Sequence, residues 1–189
     1  EATGPVREMY DQTAAQWGFV PNWVQAFSER PGVRAGWLSL LNAIKANLPQ
    51  RTYELATLAA ARALRNSYCV LAHGRVLAEQ VFDAETVAAI IENREPTPLE
   101  PRERAMMAFV ERVVREADRI SERDIATLRG HGYSDAEIFD IAAAASARCF
   151  FAKLLDALGV EADASFNKLA PVFRDAAIVG RPMAQAAAG

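Results

Sequence analysis

Apolar residues recur every three or four positions along most of this chain, and no stretch alternates convincingly between apolar and polar. Spacings of three and four put side chains on one face of a helix, whereas a strand needs a period of two. Trp37, Leu40, Leu41 and Ile44 show the helical pattern, and Met106, Phe109, Val110, Val113 and Val114 repeat it. The chain is therefore expected to be all-α. Its 189 residues suit a single domain with a substantial core.

Breakers and caps set the expected helix ends. Pro5 suits the first turn of a helix over 5–16, which Gly18 stops. A short helix is expected over 23–29, then helices over 33–47, 50–65 and 67–81, with another from 83 or 84 to 93. After the proline-rich linker 95–101, the only candidate subdivision, helices over 103–117 and 125–129 follow. Ser121 with Asp124 resembles a capping box, and Ser134 with Glu137 is a fuller one opening a long helix to Leu158. Residues 163–173 read as a last helix or docking segment. The alanine-rich tail 175–189 is expected to be loosely held. The sum is a bundle of about eight helices in one domain, 1–189.

Composition removes several classes of function. A net charge of −3 gives no basic field for nucleic acid or an anionic membrane. No run of about twenty apolar residues spans a bilayer, and the acidic N-terminus does not read as a signal peptide. The cytoplasm is the simplest expected compartment. Two cysteines and two histidines leave too few soft ligands for an ordinary zinc site, and no metal or organic cofactor is indicated.

The informative stretch runs from Glu54 through Asn66, Tyr68 and Cys69 to His73. Cys69 and His73 lie four apart, so on a helix they share a face. Cys69 falls just inside an expected helix start, where the helix dipole and a nearby imidazolium favour the thiolate, the nucleophilic form. Glu54 sits on the preceding helix, which a tight turn at 65–67 folds back antiparallel. At about 1.5 Å rise per residue, Glu54 and His73 differ in level by roughly 8 Å. Contact then needs a tilted crossing, the length of the glutamate or a bridging water. The three side chains together make a proton relay: the carboxylate orients the imidazole, which handles the thiol proton. The competing reading is packing, because a cysteine in an alanine-rich helix is usually a small buried hydrophobe.

The pattern of Glu54, position 66, Cys69 and His73 resembles the Glu-x11-Cys-x2-Cys-x3-His signature of the carboxymuconolactone decarboxylase and alkylhydroperoxidase D family. The segments GFVPNWVQAFSERPGV (18–33) and RCFFAKLLDALGVEAD (148–163) resemble its peroxidase-related branch. The likeness spans residues 18–165. It implies an alkylhydroperoxidase D-like helical bundle whose subunits assemble as dimers, trimers or hexamers. It also implies that Cys69 attacks a hydroperoxide while His73 and Glu54 relay protons, with an external thiol as reductant. In the alkylhydroperoxidases the first cysteine of the pair resolves the sulfenic acid to a disulfide. Here Asn66 stands in that place and cannot do so.

Three functions remain in view: an antioxidant thiol peroxidase lacking the resolving cysteine, a cofactor-free carboxymuconolactone decarboxylase-like acid–base enzyme, and a non-catalytic redox-responsive homo-oligomer. Around the core motif, Asn66 is expected to cap its helix in preference to contacting substrate, and Tyr68 either to bond a ligand or carboxylate or to pack. Cys149 reads as a buried structural cysteine, and Met106 and Met107 as packing. His131 reads as a turn residue. Trp17, Trp23 and Trp37 read as core or subunit contacts in preference to a pocket wall. Arg148, inside an apolar helix, is expected to pair with a buried acid such as Glu54 or Asp156.

Overall fold

The computed structural model describes residues 2–185 of the chain. These form ten α-helices and two 3₁₀ segments: α1 (Gly4–Trp17), α2 (Asn22–Ala26), α3 (Pro31–Lys45), α4 (Gln50–Ala63), α5 (Ser67–Gln80), α6 (Ala84–Ile91), α7 (Pro101–Glu116), α8 (Glu122–Gly130), α9 (Asp135–Ala157) and α10 (Pro171–Ala177). The all-α expectation holds, although with ten helices where about eight were expected. The single segment expected over 163–173 divides into a 3₁₀ turn, Ala164–Lys168, and α10. Pro171 removes a donor that a helix interior needs but that a first turn does not, so it starts a helix there.

α4 is the central helix, packed against α5, α7 and α9. Every residue from Tyr53 to Ala61 is buried. Its alanines at 56, 59, 60 and 61 make that possible, because small side chains let neighbouring helices approach closely. Larger side chains fill the remaining space: Leu55 and Leu58 meet Leu71 and Leu77 of α5, Met106 and Val110 of α7, and Ile141 and Leu155 of α9 in one continuous core. Met106 and Met107 are part of it, as expected. Arg51 donates two hydrogen bonds, of 2.6 and 2.9 Å, to the Glu103 carboxylate and so ties α4 to α7.

The α4–α5 turn is tight. Arg65 takes a left-handed conformation with φ 56°, and the Asn66 N–H donates back to the Ala61 carbonyl at 3.0 Å. That closes α4 in the manner of a Schellman motif. Asn66 then serves as the N-cap of α5, accepting from the Cys69 N–H at 2.8 Å. Two successive caps on adjacent residues thus fix where the hairpin reverses.

The segment from 175 onward is not loose as far as it is described. Phe173 and Ala177 are buried, the Gly180 N–H donates to Ser67 Oγ at 2.9 Å, and Met183 bridges to Ala162. Phe173 enters because Gly74 leaves it room: a Cβ on Gly74 would stand 2.6 Å from the Phe173 ring. Residues 186–189 of the expected tail lie outside the described residues. No helix among the described residues is long and apolar enough to cross a membrane.

Candidate active site

The α4–α5 hairpin brings Glu54, Cys69 and His73 to the wall of one cavity of about 280 Å³. Glu54 and His73 touch directly, with His73 Nδ1 2.6 Å from Glu54 Oε2. The level difference expected from straight antiparallel helices is absorbed without a bridging water. With Nδ1–H donating to the carboxylate, the free lone pair of the ring is on Nε2. His73 sits well below the ordinary imidazole pKa. Burial is the main cause, and the charge of Arg148 adds to it against the opposing pull of Glu54. The ring is therefore a neutral base at neutral pH.

This changes the expected electrostatics of Cys69. The thiol is 1% exposed, and burial pushes its pKa up despite its place in the first turn of α5. No imidazolium stands beside it. The cation that does is Arg148, whose Nη1 donates to Cys69 Sγ at 3.5 Å. Arg148 belongs to α9 and is 4% exposed. The expected pairing of Arg148 with Glu54 or Asp156 is absent among the described residues. Its other partner is the Tyr53 hydroxyl, 3.3 Å from Nη2, and the rings of Trp37 and Phe151 lie 5.7 and 5.3 Å from its guanidinium carbon. Glu54 is spoken for by His73, which is why it does not take the arginine.

Tyr68 lines the cavity and donates a short hydrogen bond to Asp163. Burial and that carboxylate together push its phenol pKa up, so it is held as a neutral donor. Asp163 also accepts from the Asn22 N–H at 2.8 Å. Asn66 is turned away from the cavity. Its amide caps α5 and donates to the Ala152 carbonyl at 3.3 Å. Cys149 is half-buried, not buried as expected, and does not line the cavity. Successive residues of a helix point in different directions, so Cys149 leaves the site where Arg148 enters it. Burial raises its thiol pKa. His131 caps the end of α8, in keeping with a turn residue.

Aromatic rings supply much of the wall. Trp17, Trp23 and Trp37 all line the cavity, with Phe19, Phe151 and Phe166. Trp37 also belongs to the core, as expected, and Trp23 packs against it, so for these two the cavity wall is a face of the core. Trp17 is 47% and Phe19 40% exposed, which puts them at its rim. Sequence reasoning missed Tyr53 and the role of Arg148 at Cys69. A signal existed in the lone arginine of an apolar helix, but its partner lies 79 residues away. Among the described residues, no group of three or more histidines, cysteines or acids is arranged to hold a metal ion.

Fold and site together define an all-helical protein with a cysteine and a carboxylate-held histidine on one buried apolar cavity. Residues 31–112 match the sequence model of the carboxymuconolactone decarboxylase family. A peroxidase-related protein of Ralstonia eutropha, described as an alkylhydroperoxidase AhpD core, shares the fold. Its TM-score is 0.76 at 25% identity, covering 85% of this chain and 86% of the other. A peroxidase-related protein of Silicibacter gives 0.77 at 22% identity over 86% of both chains. The debrominase Bmp8 gives 0.72 at 17% identity over 91% of both. No curated protein matches the chain. The chain is thus similar to the carboxymuconolactone decarboxylase family over residues 31–112 and has the alkylhydroperoxidase D-like fold.

Proposed function

We propose that this protein is a peroxidase-related enzyme that reduces an organic hydroperoxide through Cys69, with His73 and Glu54 as proton relay and an external thiol as reductant. The observation that carries this reading is the convergence of the Cys69 thiol and the Glu54–His73 pair on one aromatic-walled cavity. His73, neutral and fixed by Glu54, takes the thiol proton. Cys69 Sγ attacks the terminal peroxide oxygen and the O–O bond breaks. The alcohol leaves with the proton returned from His73, and Cys69 becomes a sulfenic acid. Two equivalents of an external thiol then restore Cys69, releasing a disulfide and water. Asn66 gives the chain no resolving thiol in the motif, so the reductant must enter the cavity or meet the sulfenic acid at its rim.

The test is thiol-dependent consumption of cumene hydroperoxide by purified protein. Wild type is expected to turn over repeatedly, and Cys69→Ser to lose at least about a hundredfold of the rate, as removal of a nucleophile does. Full activity in Cys69→Ser would overturn the reading.

One observation favours a second reading. The buried thiol is held protonated while His73 is a ready neutral base, which suits acid–base chemistry on a lactone with Cys69 as a bystander. Decarboxylation of a carboxymuconolactone that survives Cys69→Ala would establish it. Self-association belongs to the first reading, since Leu40, Phe139, Phe150 and Leu158 leave apolar surface exposed; light scattering measures it.

A further inference from the structure

Arg148, in contact with Cys69, has no anion in direct contact while Cys69 is a thiol. Arg148 is buried on α9 and stays protonated in any folded protein. No carboxylate reaches it among the described residues, and its Nε has no hydrogen-bond partner. An isolated buried charge is costly, so proteins pair it or neutralise it. The acids nearby are engaged or distant. Glu54 of α4 is bound to His73. Asp163 is bound to Tyr68 and to the Asn22 backbone. Asp156, also on α9, faces Arg181 at 4.0 Å. The remaining groups that face the site are cationic or neutral: Lys45 of α3 over the Tyr53 ring, Arg75 of α5 over Phe166, and the Tyr53 and Tyr68 phenols. Two titratable groups touch the guanidinium: the Tyr53 phenol, which burial pushes above its already high ordinary pKa, and Cys69 Sγ at 3.5 Å from Nη1, so the thiol is the one with the lower ordinary pKa.

We infer that Arg148 is a positioning residue whose guanidinium is the charge partner of the Cys69 thiolate and, after oxygen transfer, of the sulfenate. Ionisation of Cys69 gives this buried cation, which no carboxylate contacts, a hydrogen-bonded ion-pair partner. Tyr53, held on Nη2, and the rings of Trp37 and Phe151 keep the planar guanidinium aimed at Sγ. The arrangement supplies from a distant helix what the helix start alone does not overcome against burial. In a motif with no second cysteine, the same contact holds the oxidised sulfur in place until an external thiol arrives. The inference rests on Cys69 as the reacting thiol.

The test uses full-length protein with Cys149→Ser, so that Cys69 alone reports. Thiolate absorbance is followed against pH, and alkylation by iodoacetamide is timed at neutral pH. Arg148→Met is expected to move the titration midpoint up by about one pH unit or more and to slow alkylation about tenfold, one unit being a tenfold change in thiolate fraction. Arg148→Lys is expected to recover most of both. An unchanged or lowered midpoint in Arg148→Met overturns the inference. If Arg148→Met does not fold, guanidinium nitrogen resonances of the parent protein decide: they must shift with the Cys69 midpoint, and indifference to it overturns the pairing. A thiolate that depends on Arg148 in a protein that consumes no peroxide would sink the proposed function but leave the pair standing. Peroxide turnover with an Arg148-independent midpoint would do the reverse.

Discussion

The Glu54 carboxylate holds His73 Nδ1 at 2.6 Å across the α4–α5 hairpin, although the two residues belong to different helices. The contact fixes both the ring orientation and its tautomer, leaving Nε2 free toward the cavity. Glu54→Gln keeps the shape and the hydrogen-bonding capacity but lets the ring flip and present the wrong nitrogen. Thiol-dependent peroxide consumption is expected to fall about a hundredfold, within the range of a lost general acid–base contribution. Steady-state kinetics alongside circular dichroism check this. An intact fold with unchanged kcat/KM would remove Glu54 from the relay.

His73 also marks the acid side of the stability curve. Its pKa in the folded protein lies below the ordinary value, first through burial and then through the charge of Arg148. Below about pH 6.5 the unfolded chain therefore binds a proton that the folded chain does not. Stability falls as pH drops through that window and stops falling, for this group, below the folded pKa. Urea midpoints at pH 7 and pH 5 are expected to differ more in wild type than in His73→Gln. Equal differences would mean that the ring is not held neutral by its surroundings.

Much of the site was legible in the chain because its members lie on one hairpin. Glu54, Cys69 and His73 are linked by helical spacing and one turn, and local geometry suffices to bring them together. The level estimate left direct contact and a bridging water both open, because it treated α4 and α5 as straight antiparallel rods. Arg148 was visible as an oddity but not as a neighbour of Cys69, since α9 docks through long-range packing that spacing does not encode. The cavity role of the tryptophans was hidden for the same reason: a helical face says that a ring is covered, not that the core it joins also borders a cavity. The alanines of the tail gave no packing signal, so its contacts at Ser67 and Ala162 were not legible.

Asn66 ties chemistry to stability. Its side chain caps α5 at the Cys69 N–H and bonds the Ala152 carbonyl of α9. Asn66→Ala is expected to cost about 0.5–2 kcal/mol, the usual range for a lost N-cap, and to lower Tm by roughly 1–8 °C for a chain of this size. Asn66→Cys loses the same cap but adds a thiol three residues before Cys69. Under peroxide it is expected to form an internal disulfide, seen as the loss of two thiols and of dimedone labelling at Cys69. In wild type the dimedone label is expected to persist until external thiol is added. A wild-type sulfenic acid as short-lived as that of Asn66→Cys would show that another group resolves it.

The docked C-terminal segment offers a test at a backbone contact. A Cβ on Gly180 would stand 1.8 Å from the Arg65 carbonyl oxygen. No side-chain rotation relieves that clash, because the atom it meets is backbone. Arg65 is itself held in the left-handed turn between α4 and α5, so the turn cannot yield without disturbing the Asn66 cap. Gly180→Ala must then lift the segment away and break the Gly180–Ser67 hydrogen bond. Overpacking of this kind costs about 1–3 kcal/mol. Limited proteolysis is expected to cut the variant after residue 174 far faster than wild type, and the Cys69 alkylation rate to rise as the start of α5 loosens. Protection equal to wild type would mean that the contact at Arg65 contributes nothing to holding the segment, and that Phe173 against Gly74 does so alone.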